Sequence, residues 1–126
     1  MSEKIYLGQA ENLVLASSNV ILGGAATFTS TIFYVGGYTN IVGFIYSNVA
    51  SATNGLVIAQ AADSGDFVLG TPPITRSRFT YSAADTDFNA FAVELTAPFV
   101  RISYTNGVAA QTIFRMWFAA KAAKGS

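Results

Sequence analysis

The 126 residues read as an all-β protein, an antiparallel, jelly-roll-like β-sandwich of about eight strands. Three observations lead there. Val, Ile, Phe, Tyr and Thr crowd into short segments, and these are the side chains that suit a pleated, half-buried surface. Apolar and polar residues alternate within those segments from about Thr27 onward, while helix start and stop signals are nearly absent. Gly, Pro, Asn and Asp punctuate the chain at spacings near the roughly 8 to 12 residues of an antiparallel sandwich or barrel.

The elements follow in order. Leu13-Val14-Leu15 and Val20-Ile21-Leu22 are short apolar runs, so residues 1–26 read as edge strands or an arm reaching a neighbour. Thr27 to Val35 sets Phe28, Ile32 and Tyr34 against Thr27, Thr29 and Thr31, a strand with one buried face that Gly36-Gly37 ends. Thr39 to Asn48 is apolar on both faces around Gly43, as in a central strand or one covered by a partner. Ser51 to Gly55 reads as a turn, because Asn54-Gly55 supplies positive φ cheaply, and Leu56 to Ala61 is the next strand. After the turn Asp63-Ser64-Gly65-Asp66, Phe67 to Leu69 reads as a short strand stopped by Pro72-Pro73. Ile74 to Tyr81 and Asp87 to Thr96 are half-exposed strands, the first with Arg76, Arg78 and Thr80 on one face. Phe99 to Tyr104 directs Val100, Ile102 and Tyr104 one way and Arg101 and Ser103 the other; Asn106-Gly107 then predicts a hairpin into Gln111 to Ala120. The sandwich thus occupies residues 27–120, followed by a small, basic tail at 121–126.

Composition narrows the function. Hydrophobic residues make up 52% and charged residues 11%, against about 25% charged in an average soluble domain, so the chain buries a core and is not disordered. Seven basic side chains balance seven acidic ones, leaving no field to recruit nucleic acid or an anionic membrane. With neither His nor Cys, the commonest general base, the thiolate nucleophile and the usual zinc ligands are missing. No enzyme activity and no cofactor are expected. No run approaches the roughly 18 apolar residues of a membrane helix, and Met1 to Gln9 turns polar after Ile5-Tyr6-Leu7, unlike a signal peptide.

Phe99-Val100-Arg101-Ile102-Ser103-Tyr104-Thr105-Asn106-Gly107, followed by Ala110-Gln111-Thr112-Ile113-Phe114-Arg115, resembles the C-terminal hairpin of β-sandwich modules in tailed-phage virion proteins. Gly55 to Gln60 before Asp63-Ser64-Gly65-Asp66-Phe67 looks like the same family's strand and tight turn, with Ala61 in place of a serine and Ser64 intervening before Gly65. The resemblance spans about residues 39 to 119 and implies a structural role in the virion, as a capsid decoration protein, a minor capsid component or a tail part.

Charge density points independently to assembly. So few charged residues cannot cover the outward positions of a sandwich, which leaves apolar area for a partner to bury. The expected function is therefore a non-enzymatic viral structural protein that self-associates and stabilises a capsid or another virion surface. Its expected partners are other copies and virion proteins such as a major capsid protein, with no nucleic acid and no membrane, and its place is the virion assembled in the host cytoplasm. Leu13, Val14, Leu15, Val20, Ile21 and Leu22 are the candidate assembly contacts. The alternatives are a carbohydrate-binding module, with Trp117, Tyr34, Tyr38, Tyr46, Tyr81 and Tyr104 as stacking candidates, or a filament subunit exchanging strands through residues 1–24.

Other constellations favour plain structural readings. Asp85, Asp87 and Asn89 are spaced as oxygen ligands for a hard cation, but an EF-hand counted from Asp85 needs glycine where Ala90 stands and glutamate where Thr96 stands. No metal is expected there. Asp63 and Asp66 are turn formers before they are a glycosidase pair. Arg76, Arg78, Arg101 and Arg115 form an anion patch only if they share a face and lack acidic neighbours such as Glu94, Asp85 or Asp87. Gly23-Gly24 and Gly36-Gly37 read as turns, because neither precedes the Lys-Ser/Thr or the helix of a phosphate loop.

Overall fold

The computed structural model describes residues 12–69, 74–82 and 89–122. Its strands are β1 (Leu13–Ser18), β2 (Thr27–Thr29), β3 (Phe33–Tyr34), β4 (Asn40–Ser47), β5 (Ser51–Ala61), β6 (Thr75–Phe79), β7 (Asn89–Glu94), β8 (Phe99–Asn106) and β9 (Phe114–Lys121), with a one-turn helix α1 (Asp66–Leu69) after β5. Sheet I runs β1-β9-β4-β7, sheet II runs β2-β8-β5-β6, and β3 also pairs with β8. All pairings are antiparallel. With β3 set aside, the first strand pairs with the last, the second with the seventh, the third with the sixth and the fourth with the fifth. That is a long hairpin rolled onto itself, the jelly-roll form of the sandwich.

Alternation decides which side chains meet between the sheets. Ile41, Ile45, Phe114, Met116 and Phe118 from sheet I face Leu56, Ile58, Val100, Ile102 and Tyr104 from sheet II, all within 2% of complete burial. Each large aliphatic or aromatic side chain so hidden stabilises the fold by about 1.5–3 kcal/mol. Phe91 bridges the β6–β7 side, its ring 5.1 Å from Phe79 and 6.3 Å from Phe118. Gly43 faces inward from the middle of β4, where an added Cβ would collide with the Phe118 ring and the Trp117 carbonyl.

Six of the eight connections between these strands cross from one sheet to the other, carrying backbone away from any ladder. Polar side chains supply the missing partners. Gln60, buried in β5, accepts from Thr96 N–H (2.7 Å) and Ala97 N–H (3.2 Å) and donates to the Glu94 carbonyl (3.0 Å), pinning the β7–β8 connection. The Tyr81 hydroxyl donates to the Ser47 carbonyl (2.8 Å) and accepts from Ser47 N–H (2.9 Å), which ties the segment after β6 to the end of β4. Asn106 donates from Nδ2 to the carbonyls of Leu22, Gly23 and Ala109 at 3.3, 2.9 and 2.8 Å, while Gln111 accepts from Leu22 N–H at 2.7 Å.

Several expectations change accordingly. Asn106-Gly107 is no hairpin: β8 and β9 lie in different sheets, and the Asn106 amide binds the distant Leu22 and Gly23 carbonyls and the nearby Ala109 carbonyl. Gly107 serves close approach there, since a Cβ would sit 2.6 Å from the Ala50 carbonyl oxygen. Ser51 to Gly55 is the beginning of β5, and Asn54 uses its positive φ of 53° within the register shift between Ser51 and Leu56. The expected strand from Thr27 to Val35 divides into β2 and β3, because the Ser30 hydroxyl accepts from Ile102 N–H at 3.0 Å in place of a ladder carbonyl. Phe67 to Leu69 belongs to α1 instead of a strand, since Asp63 Oδ1 accepts from Gly65 N–H (2.9 Å) and the Asp63 carbonyl from Asp66 N–H (3.1 Å), starting a helical turn.

Two predictions follow from this interior. Asn106→Ala removes one hydrogen bond from each of three loop carbonyls, of which Leu22 and Gly23 keep a backbone donor, and should lower unfolding stability by about 1–3 kcal/mol, read as a shifted urea midpoint. Burial, helped by neighbouring Tyr81, pushes the Tyr104 phenol well above its ordinary range, and its hydroxyl has no protein hydrogen-bond partner. The folded state therefore favours neutral Tyr104. Its contribution holds below the ordinary phenol pKa of about 10 and is lost as the pH rises above it, so Tyr104→Phe should flatten the alkaline limb of a stability–pH curve.

Candidate functional site

The two outer faces of the sandwich differ in chemistry. On sheet I the register places Ser17, Trp117, Phe44 and Ala90 side by side across all four strands. The adjoining row is Val14, Ala119, Val42 and Ala92; on the other side of the Trp117 row, Arg115 pairs with Tyr46. Charge borders these rows at both ends, with Arg115 on one side and Lys121 and Glu94 beside Asn40 on the other. The Trp117 and Phe44 rings are nearly parallel, 25° apart with centroids 6.2 Å distant. An open groove of about 610 Å³ lies over this row, lined by Ser17, Ser18, Asn19, Phe44, Arg115 and Trp117.

The outer face of sheet II is polar and cationic. Arg76 and Arg101 flank Ala59 in register, and Arg78 and Ser103 flank Val57. Phe67 of α1 packs onto Ala59 and Ala61, with the Arg101 guanidinium 5.2 Å from its ring centroid. The structure thus gathers Arg76, Arg78 and Arg101 on one face and leaves Arg115 on the opposite sheet, since no β8–β9 hairpin joins them.

The predicted assembly residues divide. Leu15 is buried in the core, and Leu13 and Leu22 pack against it, whereas Val14, Val20 and Ile21 are exposed. β1 pairs with β9 of the same chain and forms one edge of sheet I. Of the stacking candidates, Tyr81 and Tyr104 are core residues, Tyr38 packs against the core, and Tyr34 is exposed beside Phe99 at 5.4 Å. Trp117 and Tyr46 stand on the outer face of sheet I. In sequence Phe44 is one of the apolar residues on both faces of Thr39 to Asn48; its pairing opposite Trp117 is what brings it to the groove.

Asp63 and Asp66 are committed to their own turn, where Asp66 Oδ2 accepts from Asp63 N–H at 3.3 Å. The possible cation ligands Asp85, Asp87 and the Asn89 side chain lie outside the described residues. Among the described residues no group of three His, Cys, Asp or Glu could hold a metal ion, and no helix is long and apolar enough to cross a membrane.

No protein-family model matches the chain, and no curated protein matches it in sequence. Among solved structures it is similar to the PBSX exported protein XepA, with a TM-score of 0.67 at 16% identity. The likeness is one of fold. It takes in 91% of this chain and 38% of the XepA chain, so the chain spans well under half the length of that neighbour.

The satellite cluster on sheet II yields a prediction. Phe67→Ala should free α1 from Ala59 and Ala61, costing about 2–4 kcal/mol. Amide exchange should quicken around residues 63–69 while the β4–β9 ladder keeps its protection.

Proposed function

We propose that the protein is a non-enzymatic structural component of a phage particle that self-associates through the β1 side of sheet I. The observation that carries this reading is the distribution of exposed large hydrophobic side chains. Three of the six among the described residues, Val14 (46%), Val20 (68%) and Ile21 (53%), fall in β1 and the segment just after it. They adjoin the row in which Val42 and Ala92 are accessible and Ala119 is already buried. Burying such a surface is favourable by about 25 cal/mol per Å² before the costs of association. The fold likeness to an exported protein of phage PBSX supports the phage context.

Contact through side chains fits better than strand exchange. Leu15 and Ala16 already fill the protein's own core, and the register shift between Val14 and Ala16 disrupts the edge that an incoming strand would need. The non-enzymatic reading rests on a sequence without His or Cys and on Asp63 and Asp66 being spent on a turn.

Light scattering over a dilution series tests the proposal. A concentration-dependent oligomer is expected, and Val20→Ser/Ile21→Ser should weaken it at least tenfold, equivalent to about 1.4 kcal/mol, without moving the urea midpoint appreciably. A monomer at every concentration, or an oligomer indifferent to both substitutions, would refute it.

A further inference from the structure

We infer that the groove over Trp117 on the outer face of sheet I is a binding site for a saccharide chain. This goes beyond the assembly reading and rests on different residues. A pyranose ring offers two things to a protein: faces of C–H groups and a belt of hydroxyls that both donate and accept. Recognition therefore calls for an aromatic plate bordered by short polar side chains, in an open cleft through which a polymer can pass.

The groove has those parts in that arrangement. Trp117 and Phe44, held in register on neighbouring strands and stacked with rings 25° from parallel, supply the aromatic surface. Along its β1 border stand Ser17, Ser18 and Asn19, whose hydroxyls and amide can each donate and accept. Along β9 stands Arg115, a planar fork of five donors. Of these border residues only Ser18 spends its side-chain oxygen on the protein, accepting from Val20 N–H at 3.2 Å. Among the described residues no carboxylate lines the groove, and its volume of about 610 Å³ lies within the roughly 300–1,000 Å³ of small-ligand sites.

The strand geometry gives the site rigidity. Met116 and Phe118, the neighbours of Trp117 in β9, are anchored in the core, so the indole projects from a fixed backbone. Ser17 is paired directly opposite Trp117, which sets the polar border at a constant distance from the aromatic surface.

Trp117 is the single tryptophan of the sequence, so fluorescence excited selectively at tryptophan, away from the six tyrosines, reports on the groove. The intact protein at fixed concentration is titrated with soluble hexamers of β-1,4-linked glucose, β-1,4-linked N-acetylglucosamine and α-1,4-linked glucose. A saturable change in emission with at least one of them is expected. By calorimetry with that sugar, Trp117→Ala should abolish binding, and Arg115→Ala and Asn19→Ala, both at exposed positions, should each weaken it at least fivefold while keeping the wild-type urea midpoint. Three outcomes overturn the inference: no saturable signal with any hexamer, unchanged binding by the two exposed-site variants, or emission that follows protein dilution instead of added sugar. The last would show that a second copy of the chain covers the groove.

Discussion

Backbone that leaves one sheet to enter the other must find hydrogen-bond partners away from any ladder, and the rest of this structure depends on how that demand is met. A jelly roll imposes it repeatedly. Here the answer is a small set of polar side chains: Gln60, Tyr81 and Asn106, each joining a strand to a crossing connection, and Gln111, which joins two connections. They sit at the margins of an apolar interior, where an unmade hydrogen bond costs more than a made one returns. In consequence the β1–β2, β7–β8 and β8–β9 connections are fastened by side chains to the sheets or to one another. Leu22, Gly23 and Ala109 are held by one amide, so the segment carrying Val20 and Ile21 is anchored even though those two side chains are exposed.

With the interior so arranged, function is left to the two outer faces, and their difference is a matter of register. Every second residue of β4 and β9 points outward from sheet I, which aligns Trp117 with Phe44 and Val42 with Ala119. The same rule on sheet II aligns Arg76 with Arg101 on either side of Ala59. A chain of zero formal net charge thus presents one face whose middle rows are uncharged, bounded by Arg115 on one side and Lys121 and Glu94 on the other, and one face that carries three arginines. The proposed assembly contact uses the β1 side of the sheet I face, and the proposed saccharide site uses its groove.

What the sequence by itself determined is the class of fold and the facing of most strands. Period-two alternation is a local property, legible wherever one face is buried, so Val100, Ile102 and Tyr104 separate correctly from Arg101 and Ser103. Turn chemistry was legible as an interruption and misleading as a geometry. Asn54-Gly55 and Asn106-Gly107 look alike in sequence, yet one bends a continuous strand and the other carries the chain between sheets. The choice lies with distant groups, the Thr80 hydroxyl that accepts from Asn54 N–H and the Leu22 and Gly23 carbonyls that accept from Asn106.

The candidate site was legible only in pieces. Trp117 and Tyr46 stood out as aromatics and Arg115 as a charge, but nothing local joined them to Phe44 or to Ser17. Tertiary structure alone decided that β9 lies between β1 and β4. Strand pairing is set by which arrangement buries the most apolar surface across long separations, and that sum cannot be read from any one segment of the chain.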